Sequence, residues 1–186
     1  SKYIKKSCDF CLSAGKLLKC GGCQFAHYCG VLCQRDAWAE HKYECLCMKK
    51  IAPRTLPDAA RMMAKIIWKL QYGGYLQKFY YSRNGYRKFN DLMAHLDDIK
   101  WDEKRTEHVD SLYSVLKEYL MPEHLPNKTE FLGIYGRLCI NSFNILDDDL
   151  NSIGTGIYLA ASILDHSCKP NAVATFDGPQ ISIRLI

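Results

Sequence analysis

Cys8-x2-Cys11-x8-Cys20-x2-Cys23-x5-Cys29-x3-Cys33-x7-His41-x3-Cys45 is the stretch that decides how the rest of the chain is read. Its eight ligand-type residues fall into four short pairs, the number that two tetrahedral zinc ions require. Zinc prefers thiolate and imidazole, and a closed four-ligand site is structural rather than catalytic. Cys-x2-Cys lets one tight turn aim both sulfurs at a metal. Cys29/Cys33 and His41/Cys45 are i, i+4 pairs, which share one face of a helix. Buried free thiols or disulfides are the alternatives, and four correctly spaced pairs in succession argue against both. Spacing alone leaves sequential and interleaved pairing of the sites equally open.

The 186 residues are enough to bury a core beyond this finger. With 48% hydrophobic and 24% charged residues the composition is that of an ordinary globular protein. No apolar run reaches membrane-spanning length, and the start Ser1-Lys2-Tyr3-Ile4-Lys5-Lys6 lacks a signal-peptide core. Cysteines in ligand spacing without an export signal point to a reducing compartment. Residues 1–50 hold nine Lys/Arg against four Asp/Glu, which is the whole formal net charge of +5, and residues 51–186 balance at sixteen of each. Such a basic finger could meet nucleic acid or an acidic protein. Its lysines more simply solvate a small module and offset thiolate charge, and no aromatic–basic interleaving of the single-strand-binding type is read there.

Around Cys8/Cys11 and Cys20/Cys23 the sequence predicts loops and a short hairpin, with Gly21-Gly22 as a knuckle. A helix is expected from about Gly30 to Cys45, with Ala37 and Trp38 covering the metal sites. Pro53 and Pro57 mark a joint, after which Thr55 or Asp58 is expected to cap a helix over 58–71. Further helical stripes are Phe89-Leu92-Met93-Leu96-Ile99, Val109-Leu112-Leu116-Tyr119-Leu120, and Phe131-Leu132-Tyr135-Leu138-Ser142-Phe143, the last capped by Thr129 and packing Cys139 as a small hydrophobe. Beyond Asp147-Asp148-Asp149 the period shortens: Ile181, Ile183 and Leu185 alternate with polar residues, and Asp177-Gly178-Pro179 signals a hairpin. His27, His95, His108 and His124 lie outside ligand spacing and read as surface or capping residues. The expected fold class is α+β, organised as a finger over 1–50, a helical block over 51–146 and short strands over 147–186.

A second constellation is Leu164-Asp165-His166-Ser167-Cys168-Lys169-Pro170-Asn171. By itself it is a constrained polar turn, with Asp165 and Asn171 able to bond backbone and Pro170 fixing direction. A Cys–His nucleophile is disfavoured, because such close neighbours in sequence rarely aim at each other.

That segment resembles the Asn-His-Ser-Cys-x-Pro-Asn signature of SET-domain protein methyltransferases, and the cysteine run resembles a MYND zinc finger ligand for ligand. Together with Asn141-Ser142-Phe143, Gly154-x-Gly156-Ile157-Tyr158 and Phe176-x-Gly178-Pro179, the chain resembles the SMYD family, in which a MYND finger is inserted into a split SET domain. The resemblance implies a MYND-type finger, a helical insert and a partial β-rich SET core. It also implies protein-lysine N-methylation with S-adenosylmethionine on a histone or non-histone lysine. By the same resemblance Cys8, Cys11, Cys29 and Cys33 hold one zinc, and Cys20, Cys23, His41 and Cys45 the other. Asn141, Ser162, Leu164, Asp165 and His166 would contact S-adenosylmethionine, and Cys168 would be one ligand of a third zinc.

Departures from the family pattern shape the expectation. Asp165 stands where the signature has asparagine, replacing a donor and acceptor by an acceptor alone. The family's first SET strands, its catalytic tyrosine and its post-SET cysteines fall outside residues 1–186, so no catalytic residue is assigned here and little methyl transfer is expected of this stretch alone. Its half-built core and final strand would also make it poorly soluble alone. The alternative function is a non-enzymatic adaptor whose finger binds proline-rich peptides or DNA beside a degenerate SET scaffold. A monomer in nucleus and cytoplasm, without membrane attachment, completes the expectation. Zinc removal is expected to unfold residues 1–47 ahead of the helical block.

Overall fold

A computed structural model describes residues 7–186. The cysteine loops frame a small antiparallel hairpin, β1 (Leu18–Lys19) and β2 (His27–Tyr28), followed by a long helix, α1 (Val31–Ile51). The helix runs six residues beyond the expected end at Cys45. It continues because Cys47 and Met48 are buried and hold its last turns in the core.

α2 (Asp58–Gln71) forms where periodicity placed it, burying Ala60, Met63, Ala64, Ile67 and Trp68 along one stripe. Neither expected cap is used. Pro57 stands at the N-cap and Asp58 in the first turn, where its charge complements the helix dipole. The chain then puts out a hairpin that periodicity did not foresee, β3 (Phe79–Tyr80) and β4 (Tyr86–Arg87).

The stripe from Phe89 to Ile99 is broken rather than one helix. Residues 89–91 make a single 3-10 turn, closed by Asp91 accepting from the Lys88 N–H, and His95 adopts φ 43° before the short α3 (Leu96–Lys100). α4 (Glu103–Tyr119) is capped by Asp102 and buries Val109, Leu112, Leu116 and Tyr119. α5 (Lys128–Asn141) is capped by Asn127, whose side-chain oxygen accepts from Glu130 N at 3.0 Å, so the cap lies two residues before Thr129. Phe131, Ile134 and Tyr135 face the core, and Cys139, one turn beyond Tyr135 near the end of the helix, is exposed and not packed as expected.

Two antiparallel hairpins follow: β5 (Ser142–Leu146) with β6 (Ser152–Ile157), and β7 (Ala172–Asp177) with β8 (Gln180–Leu185). In the first, Asp147 closes the turn by accepting from the Asp149 and Asn151 N–H groups. In the second, Gly178 sits at φ 53°, and a Cβ there would fall 2.6 Å from the carbonyl oxygen of Cys11. The last hairpin therefore rests on the first cysteine loop.

Buried side chains form one continuous core from Cys8 and Tyr28 through Met48, Ile67, Trp68 and Tyr119 to Phe131. This changes the expectation for metal removal. The helix that supplies His41 and Cys45 also supplies Cys47 and Met48 to that core, so finger and helical block share their apolar contacts. No helix among the described residues is long and apolar enough to cross a membrane.

Candidate metal centres and the polar turn

Four ligand atoms from Cys8, Cys11, Cys29 and Cys33 lie within 4.8 Å of one another, as do four from Cys20, Cys23, His41 and Cys45. The pairing is interleaved, and each group draws two ligands from the loops and two from further along the chain, in and around α1. Two thiolates bound to one tetrahedral zinc stand about 3.8 Å apart, given Zn–S of about 2.3 Å. Cys11–Cys29 at 3.7 Å and Cys20–Cys45 at 3.9 Å match that spacing, and Cys29–Cys33 at 3.3 Å is somewhat closer. The donor sets therefore fit zinc. The first centre is partly exposed through Cys29, and the second is buried throughout.

The second centre has a supporting shell that spacing alone did not show. His41 presents Nε2 toward the ligand cluster, 3.7 Å from Cys23 Sγ, and its Nδ1–H donates to Glu44 Oε2 at 2.8 Å. A carboxylate behind the ring selects the tautomer that leaves Nε2 free for metal. Tyr28 and Trp38 stand edge-on to the imidazole at 5.7 and 6.0 Å, which gives Trp38 the covering role expected of it although its own outer face is exposed.

Glu44 is 1% exposed. Burial opposes its ionisation, but hydrogen bonds from His41 and Arg61 outweigh that cost and hold its pKa at about 2. Arg61, on α2, donates Nε to Glu44 and Nη2 to Asp9 Oδ1 at 2.7 Å. Asp9 Oδ2 in turn accepts the His27 N–H at 2.7 Å. One guanidinium thus ties the loop of the first centre and the helix of the second to the helical block. The sequence signal for Glu44 was its place three residues after His41. Nothing local marked Arg61, which reads as the polar face of an amphipathic helix.

Gly22 has a steric role: a Cβ there would meet Cys45 Sγ at 2.8 Å. The knuckle needs glycine because a ligand sulfur occupies the space a side chain would take.

The residues expected around the polar turn are less converged. Ser162 lies in a 3-10 turn over Ala161–Ile163, its hydroxyl donating to Tyr158 O at 2.9 Å and its carbonyl accepting from Arg87 at 2.6 Å. Leu164, Asp165 and His166 follow it, exposed. Asn141 donates its amide to Met93 O and Arg137 O at 3.0 and 2.9 Å, which leaves Oδ1 without a hydrogen-bond partner among the described residues. Cys168 is exposed, its Sγ 3.5 Å from His166 Nε2. A cleft of about 1280 Å³ opens between the finger, α2 and the segment Ser152–Ala161, and none of the five residues assigned to the cofactor lines it.

A two-centre zinc finger fused through a buried ion bridge to a helical body defines the class of protein. Comparison with known proteins agrees. The family profile "MYND finger" matches residues 8–45. The chain is 32% identical over 187 residues to "Histone-lysine N-methyltransferase SMYD3" of Homo sapiens, covering 96% of this chain and 42% of that protein. It is 30% identical over 184 residues to "N-lysine methyltransferase SMYD2-B" of Danio rerio, covering 96% and 41%. The chain thus spans about two fifths of the length of these relatives. The resemblance to the SMYD family read from the sequence is borne out: nearly all of this chain aligns with a stretch of those relatives.

Proposed function

We propose that this chain is the finger-bearing part of a protein-lysine N-methyltransferase that uses S-adenosylmethionine. The reading is carried by its alignment, over 96% of its length, with relatives named as lysine methyltransferases. In this reading residues 1–50 are the MYND finger, 51–146 the helical insert and 147–186 part of the SET core, working on histone or non-histone lysines in nucleus and cytoplasm.

The two finger zincs are structural. Each centre has four protein ligands and no position for substrate. The residues assigned to S-adenosylmethionine offer acceptors suited to it. Asn141 Oδ1 is open, and Asp165 supplies a carboxylate, so both can accept from the cofactor's α-ammonium group. When bound, the cofactor supplies an electrophilic sulfonium methyl. The protein's part is to hold the ammonium end and to position a neutral lysine amine in line with that methyl carbon. Cys168, exposed beside His166, is free to join a third zinc with cysteines from outside this chain.

Tritiated S-adenosylmethionine, offered with histones to the protein that contains this chain, tests the proposal. Label on substrate lysine, lost in Asn141→Ala, is the expected result. No transfer despite full zinc occupancy would overturn it and favour an adaptor. The exposed apolar side chains Val31, Leu32, Trp38 and Leu46 on α1 support that second reading as a surface for a proline-rich peptide.

A further inference from the structure

Between α2 and α3 the β3–β4 hairpin differs in kind from its surroundings. From Tyr72 to Asn90 the chain carries four cations, Lys78, Arg83, Arg87 and Lys88, and no acidic residue. The balance of charge over residues 51–186 conceals this cluster. None of the four takes part in an ion pair among the described residues. Beside them Tyr80, Tyr81 and Tyr86 are 59%, 45% and 38% exposed. Unlike the finger, this segment does interleave aromatic and basic residues.

The hairpin is built to hold that arrangement. Tyr80 pairs directly across from Tyr86, with ring centroids 5.6 Å apart. Tyr81 N donates to Gly85 O at 3.0 Å, Gly85 N donates to Ser82 Oγ at 2.9 Å, and the absence of a side chain at Gly85 lets the Tyr81 ring lie over the turn. Lys78 Nζ sits 4.4 Å above the Tyr86 ring. Arg87 fixes the base of the hairpin by donating to the Ser162 carbonyl at 2.6 Å.

Uncompensated cations call for a polyanion, and exposed rings on a rigid support call for flat apolar faces. Single-stranded nucleic acid offers both along one chain: phosphates for Lys78 and Arg83, and unpaired bases to stack on Tyr80. A duplex hides its base faces. An acidic peptide would use the cations but leave the tyrosines without a partner. We propose that the β3–β4 hairpin is a binding surface for single-stranded nucleic acid, separate from the zinc centres and adjoining the Ser162 turn.

Fluorescence anisotropy of the zinc-loaded chain with short labelled oligouridine RNA and oligothymidine DNA tests this, with poly-glutamate as competitor. Because the substituted side chains are exposed, zinc content and circular dichroism should stay unchanged and certify each variant. Lys78→Gln with Arg83→Gln should flatten the slope of log affinity against log salt by about 1.4, two single-strand phosphate contacts at about 0.7 each. Tyr80→Ala should weaken binding roughly tenfold, and Tyr80→Phe should restore it. RNA bound more tightly than DNA would identify RNA as the ligand, and equal binding would define single strands of either kind. Three results would each overturn the proposal: no binding at low salt, poly-glutamate displacing the oligonucleotide at equal charge, or loss confined to a finger variant such as Lys49→Gln with Lys50→Gln.

Discussion

Arg61 of α2 grips Glu44 of α1 through two nitrogens, Nε on Oε1 and Nη2 on Oε2, at a depth where the carboxylate is 1% exposed. Removing one partner of such a pair strands the other charge in the interior. Arg61→Met is therefore expected to lower stability by about 3 kcal/mol, measured by urea unfolding with zinc present. Arg61→Met combined with Glu44→Gln should recover part of the loss, because the buried charge is gone. A double variant worse than the single would argue that the pair matters through packing instead.

Metal removal should act on the whole molecule. Chelator titration followed by far-UV circular dichroism is expected to show helix signal falling in one transition with zinc release, since α1 is shared by the metal centre and the core. An early step that leaves most helix intact would show that the finger comes apart by itself. Protons should imitate the chelator: zinc ligands bind metal deprotonated, so occupancy should fall as pH falls.

Gly22→Ala is expected to loosen the second centre alone, because its Cβ would press on Cys45 Sγ. Cobalt substitution provides the readout: the visible bands of one of two sites should weaken. Gly21→Ala is the matched control, with nothing within 4 Å of the added carbon, and should leave both sites intact.

Gly178→Ala combines a strained backbone with a clash on Cys11 O, and should destabilise by about 1–3 kcal/mol. The same substitution should ease zinc release from the first centre in preference to the second, a difference that competition with a colorimetric chelator would resolve.

The metal ligands were legible because their spacing is local and zinc chemistry tolerates few alternatives. The interleaved pairing was not legible from spacing, since it depends on which loop faces α1, and only the family resemblance supplied it. α2 and α4 were found because a single apolar stripe runs their full length. The Phe89–Ile99 stripe misled because Asp91 and His95 impose turns that its apolar periodicity does not show. Asn127 outcompeted Thr129 as a cap by reaching the N–H of Glu130. The Asp9–Arg61–Glu44 bridge joins residues far apart in sequence, and no local pattern announces it. The hairpin cations were hidden by averaging charge over a long segment.

The contact between Gly178 and Cys11 has a wider consequence. The turn of the final hairpin comes to rest on a loop whose geometry the first zinc fixes, so segments more than 160 residues apart in sequence meet at a metal ligand. Zinc retention at that centre is then a report on assembly: a chain whose last hairpin has not docked should give up its first zinc sooner than a finished one. Metal content, measured on a freshly purified sample, becomes a quality test for strands that contain no ligand to the finger at all.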